Sequence, residues 1–277
     1  MKWPRLAPPV RRQRVRSRSM RRLRGGLALM FALVVLGFLY QLFTPAPQVA
    51  AAGSDDPAQI VAGQALYNNS CITCHGAELQ GVQDRGPSLI GVGQAAVYFQ
   101  VATGRMPAAD NGAQIPRKEP FFTPEEIAQI GAYVQANGGG PQVPLNADGT
   151  SAILQNVDNL ALGAELYRLN CASCHNFTGK GGALSQGKYA PDLGQATDSV
   201  IYAAMLTGPE NMPKFGDGQL TSEEKIAIIT YIQNVKATMD PGGYGLGGFG
   251  PVPEGFIAFI VGMGALIGVM LWMGARA

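Results

Sequence analysis

Apolar residues follow two rhythms along this chain. At the ends they run together. "GLALMFALVVLGFLYQLF" is an apolar stretch of about 17 residues, and "GFIAFIVGMGALIGVMLWMG", Gly255 to Gly274, is 20 residues without a charge. As a helix the second is about 30 Å long and suffices to cross a bilayer once. Between the ends, apolar positions recur at helical spacing, through Ile127, Ile130 and Val134 and again through Ile226, Ile229 and Ile232. Each run is preceded by a threonine with a glutamate three positions on, Thr123 with Glu126 and Thr221 with Glu224, which predicts a capping box at the helix start. Gly63 and Tyr67, like Gly163 and Tyr167, lie one turn apart on one face of a shorter predicted helix. A small residue beside an aromatic suits a tight helix crossing, with Tyr133 or Tyr231 as the partner.

These elements repeat. "GQALYNNSCITCH" (63–75) aligns with "GAELYRLNCASCH" (163–175), and "TPEEIAQIGAYVQ" (123–135) with "TSEEKIAIITYIQ" (221–233), at offsets of 100 and 98 residues. The expected fold is therefore all-α, with two tandem domains at 58–136 and 158–237. A Gly/Pro/Asn linker separates them at 137–157. A Gly-rich linker at 238–254 leads to a transmembrane helix at 255–274, and its glycines should let the second domain move relative to that anchor. Gly264 and Gly268 form a Gly-x-x-x-Gly in the helix, a pattern that permits close helix contact.

Charge assigns sides to this layout. The formal net charge is +2, but Lys2 and nine arginines fall within the first 24 residues. The rest holds 11 basic against 19 acidic residues, a net charge near −8. A basic arm abutting an apolar run is a topology signal rather than a nucleic-acid site, and it stays on the inner side of the membrane. Residues 1–52 thus read as a signal peptide with small residues for cleavage near Ala50 to Ala52, or as a retained anchor. With Arg276 also inside, both domains are expected at the plasma membrane on the extracytoplasmic side.

Cys71-x-x-Cys74-His75 and Cys171-x-x-Cys174-His175 carry the chemistry. A structural zinc would need both pairs to share one metal across two domains. A thiol–disulfide motif would be expected near a βαβ pattern, which is not visible. Covalent haem c needs a histidine directly after the second cysteine, and both copies have one. Cysteines three apart at a helix start can bond the two vinyl groups of one porphyrin edge while the next residue turns its imidazole to the iron. Two haem c groups are therefore expected.

All four cysteines and both histidines of the chain are used by these motifs. A sixth iron ligand must be another residue, and methionine is the choice for a high potential. Met106 in "TGRMPAADN" and Met212 in "TGPENMPKFGDG" both follow Thr-Gly and precede proline in polar loops, with Met205 the alternative in the second domain. Pro87 in "RGPSL" and Pro191 in "YAPDL" can offer backbone carbonyls to the other nitrogen of each imidazole.

Each unit resembles a class I cytochrome c, in the Gly/Tyr first helix, the Cys-x-x-Cys-His, the Pro87 and Pro191 loops, the Met-Pro loop and the closing helix with an aromatic. The whole layout resembles the dihaem cytochrome c subunit of the actinobacterial-type cytochrome bcc complex. That resemblance implies an electron-transfer subunit of a menaquinol:cytochrome c reductase, not catalytic alone. It also implies a cytochrome b subunit and a Rieske iron–sulfur subunit as partners, and the copper centre of a haem–copper oxidase as acceptor. A dihaem electron-transfer subunit of another membrane dehydrogenase or oxidase has a similar layout. A dihaem peroxidase would need an open iron, and a haem sensor a signalling domain; two matched Met loops and the absence of a spare segment speak against both.

Overall fold

The computed structural model describes residues 18–43, 55–109, 112, 114–238, 246–248 and 251–276. The expected cleavage region at Ala50 to Ala52 and most of the Gly-rich linker lie outside them. The chain falls into two compact units, Met1–Pro47 and Gln48–Ala277. Among the described residues, the first contains one helix, α1 (Arg18–Phe43), with residues 24–37 exposed.

In the second unit, α2 (Pro57–Ser70) begins where the Asp56 side chain accepts a hydrogen bond from the Ala58 amide, with a proline at the first helical position. A single turn, α3 (Ile72–His75), follows; then come α4 (Gly93–Ala102) and α5 (Pro124–Gly138). The order recurs as α6 (Leu160–Asn170), α7 (Ala172–His175), α8 (Asp198–Thr207) and α9 (Ser222–Ala237). The capping boxes at Thr123/Glu126 and Thr221/Glu224 are both formed. The last helix, α10 (Pro251–Gly274), is exposed from Glu254 onward. Its span Val252–Gly274, with mean hydropathy 2.3, is long and apolar enough to cross a membrane.

First and last helices of each domain cross closely, α2 on α5 and α6 on α9. The reason is local: a Cβ at Gly63 would run into the Gln129 carbonyl, and one at Gly163 into the Ala227 carbonyl. One turn further on, Tyr67 meets Tyr133 with ring centroids 5.1 Å apart, and Tyr167 meets Tyr231 at 5.2 Å. The crossing expected from the Gly/Tyr pairs is thus the fold's main contact in both domains.

Two features exceed the sequence reading. The segment after α5 packs into domain 1 rather than only linking: Val143, Leu145 and Ile153 are buried, the Ala95 amide donates to the Pro141 carbonyl, and Leu145 pairs with Ser151. Domain 2 also carries a short antiparallel hairpin, β1 (Gly182–Ala183) and β2 (Tyr189–Ala190). It occupies the longer segment between His175 and Pro191, 16 positions against the 12 from His75 to Pro87.

Candidate haem-binding sites

The helix crossing fixes each Cys-x-x-Cys-His in place. Cys71 ends α2, with its amide bonded to the Tyr67 carbonyl, and opens α3, with its carbonyl accepting from His75; Cys171 does the same between α6 and α7. The phenol of Tyr67 donates to the Gly76 carbonyl at 2.6 Å, and that of Tyr167 to the Asn176 carbonyl at 2.7 Å. Both acceptors directly follow the motif histidine, so the aromatic pair that closes the domain also clamps the motif. Burial, then the nearby cysteine, pushes the Tyr67 phenol up to about 12 and that of Tyr167 higher still, so each remains a donor at neutral pH.

His75 Nδ1 lies 2.8 Å from the Pro87 carbonyl oxygen, and His175 Nδ1 lies 3.1 Å from that of Pro191. A carbonyl accepts only, so each Nδ1 carries the proton and each Nε2 presents its lone pair. Burial draws His175 below its ordinary value, with the Pro191 contact opposing, which favours the neutral, ligating form. Cys71 is pushed up to about 11 and Cys171 to about 12, by burial first and then by the second cysteine of each pair. These are neutral thiols beside apolar core, not activated thiolates.

Met106 and Met212 each lie half-buried in a loop, packed against the core. In domain 2 a cavity runs between Cys171, Cys174 and His175 on one side and the Met212 loop on another, with Val200, Ile201 and Phe215 among its apolar lining. Met205, on α8, also lines it but is almost wholly buried. Two thiols, an imidazole with a free Nε2 and a thioether around an apolar cavity fit a haem c. Among the described residues, no cluster of three His, Cys, Asp or Glu suits a bare metal ion.

The two domains meet at these loops. Helix α4 packs on α8, and burial there pushes the Tyr98 phenol above its ordinary value. Gln114 of domain 1 makes a two-way pair with Tyr189 on β2, donating to its carbonyl at 2.7 Å and accepting from its amide at 3.1 Å. Arg117 donates to the Gln195 carbonyl at 3.1 Å, and Glu210 accepts from the Ile115 amide at 3.1 Å. Arg105 lies 3.8 Å from Glu210. Sequence reasoning missed this seam. Its signal was present in the aligned loops, where Gly-Arg-Met in one copy faces Gly-Pro-Glu-Asn-Met in the other.

A helical domain with crossed end helices, a Cys-x-x-Cys-His clamped at the crossing and a methionine loop, occurring twice, defines a tandem cytochrome c. Residues 58–134 and 158–232 match the family model described as cytochrome C oxidase, cbb3-type, subunit III. The chain is 59% identical over 254 residues to the cytochrome bc1 complex cytochrome c subunit of Mycobacterium leprae, covering 91% of this chain and 88% of the relative. It is 58% identical to that of Mycobacterium tuberculosis, covering 95% of each, and 52% identical to that of Corynebacterium efficiens, covering 95% of this chain and 92% of the relative. The chain belongs to the family of cytochrome bc1 complex cytochrome c subunits.

Proposed function

We propose that this chain is the membrane-anchored dihaem subunit of a respiratory quinol:cytochrome c reductase, passing electrons from a Rieske iron–sulfur subunit to the copper centre of a haem–copper oxidase. The supporting observation is the contact between the two methionine loops. Two sites that abut inside one chain suit a relay between a donor and an acceptor.

In this reading Cys71 and Cys74 attach one haem and Cys171 and Cys174 the other. His75 with Met106, and His175 with Met212, would hold the two irons. Each bound haem c supplies a one-electron iron couple. The protein's part is to hold geometry. The Pro87 and Pro191 carbonyls fix the imidazole tautomer and plane, and the tyrosine clamps hold the cysteine turns. Apolar side chains such as Val200, Ile201 and Phe215 exclude water from the second site. The arginines of the first 24 residues and Arg276 after α10 set the cytoplasmic side, so the domains lie outside the cell membrane. The cytochrome b subunit is the neighbour expected for the α10 anchor.

Affinity purification from membranes, with reduced-minus-oxidised spectra and partner identification, tests the proposal. Recovery with b-type haem, a Rieske protein and an oxidase is expected. Recovery with a dehydrogenase, lacking b-type haem and oxidase, would overturn the assignment to a reductase and leave a dihaem cytochrome.

A further inference from the structure

The cavity beside Cys171, Cys174 and His175 is not built by domain 2 alone. Phe99, Thr103, Arg105, Gln114 and Arg117 of domain 1 line it as well. Its charges divide by domain. From domain 2 come two carboxylates, Asp192 and Glu210, and no lysine or arginine; Arg105 and Arg117, both from domain 1, are the lysine or arginine residues that line it. Asp192 is reached by Lys180 at 3.7 Å. Arg105 is the more constrained of the two arginines. Its side chain is only 8% exposed, its Nε has no hydrogen-bond partner, and Glu210 at 3.8 Å is too far to supply one. The guanidinium is held over the Phe99 ring, 5.0 Å from the centroid. A buried cation with an unused donor, lining a cavity, calls for an anionic acceptor inside it.

We infer that domain 1 completes the haem site of domain 2, with Arg105 and Arg117 receiving the carboxylates of the haem propionates. This rests on the reading of that cavity as a haem c site. A haem carries two carboxylates. Placed in a cavity to which domain 2 adds two more, they need cations, and the arginines that line it belong to the other domain. Guanidinium forks suit carboxylates by geometry as well as charge. The consequence is functional coupling. Positive charge close to the second haem favours its reduced form, so the potential of domain 2 depends on the docking of domain 1.

The test uses the full-length protein purified from membranes in detergent, with variants Arg117→Gln, Arg105→Gln, the double variant and Arg→Lys at each position. Mass spectrometry of haem-bearing peptides first establishes whether Cys171 and Cys174 carry haem. Potentiometric titration then resolves the two couples, the second being the one that Met212→Leu displaces. Each Arg→Gln is expected to shift the second couple to lower potential, about tenfold in its redox equilibrium, or about 59 mV for one electron. The first couple stays in place, and lysine at the same position recovers most of the shift.

An unchanged second couple in Arg117→Gln and in the double variant, with both haems attached, overturns the inference and leaves the haem reading intact. A shift of the first couple alone in Arg105→Gln would mean that Arg105 acts on its neighbour Met106, and overturns its assigned role. Absence of haem from Cys171 and Cys174 in the unsubstituted protein overturns the haem reading itself, and this inference with it.

Discussion

Arg105, one residue before Met106, and Glu210, two residues before Met212, form an ion pair of 3.8 Å that joins the two methionine loops. The pair is partly buried, with side-chain exposures of 8% and 21%, so solvent screens it less than a surface pair. Burial draws the Arg105 guanidinium below its ordinary value and Glu210 opposes this. Glu210→Gln leaves the buried cation without its nearest counter-charge. We expect a loss of about 1 kcal/mol, and a coupling of similar size, about 1 kcal/mol, in a double-mutant cycle with Arg105→Gln. Chemical denaturation of the haem-loaded protein measures both; additive single losses would mean that the contact is incidental.

Gly63 and Gly163 offer a steric test of the shared fold. An alanine at either position meets a backbone carbonyl of the facing helix, which cannot rotate away as a side chain could. Overpacking should outweigh the helix propensity gained, at a net cost of about 1–3 kcal/mol in denaturation midpoints. Gly216, where a Cβ meets open space, is the control, and Gly216→Ala should be nearly neutral. Equal stability of all three variants would remove the close crossing from the account.

Much of this architecture was legible because it rests on local chemistry repeated twice. The capping boxes, the Gly/Tyr crossings and the His–Pro contacts each depend on a few residues at fixed spacing, and the second copy supported the first. The seam was not legible by the same means. Gln114 meets Tyr189 and Arg117 meets Gln195 across 75 and 78 residues, and these residues do not repeat between the two copies. The segment after α5 was misleading for a related reason. Its glycines and prolines signal a linker, yet Val143 and Leu145 are buried among residues of domain 1, a tertiary choice with no periodic trace.

Lys225 gives a prediction in which two substitutions of one pair differ. Its side chain is fully buried at the start of α9, and Nζ donates to Asp217 at 2.9 Å and to the Leu220 carbonyl at 2.7 Å. Asp217 is 37% exposed and can be hydrated when its partner is removed. Lys225→Met should therefore cost about 1–2 kcal/mol, mostly the unmet Leu220 carbonyl. Asp217→Asn leaves a buried ammonium short of its counter-charge and should cost more, about 3 kcal/mol. Thermal unfolding of the two variants side by side decides the order, and the reverse order would place the ammonium in contact with solvent.

Met205 and Met212 both line the domain 2 cavity, and they separate under the same substitution. Met205 sits on α8 at 2% exposure, where a side chain chiefly fills core, whereas Met212 is half-buried in a loop. Leucine nearly preserves the volume of methionine and removes the thioether sulfur. Met205→Leu should cost less than about 1.5 kcal/mol in stability and keep the low-spin, methionine-ligated spectrum of both haems. Met212→Leu should abolish that spectrum for one haem and lower its potential. Absorption near the sulfur-to-iron charge-transfer band, followed with a redox titration, reads out both variants. If the band is lost with Met205→Leu and kept with Met212→Leu, the axial ligand is the helical methionine, and the matching Met-Pro loops would then serve the seam between domains rather than the iron.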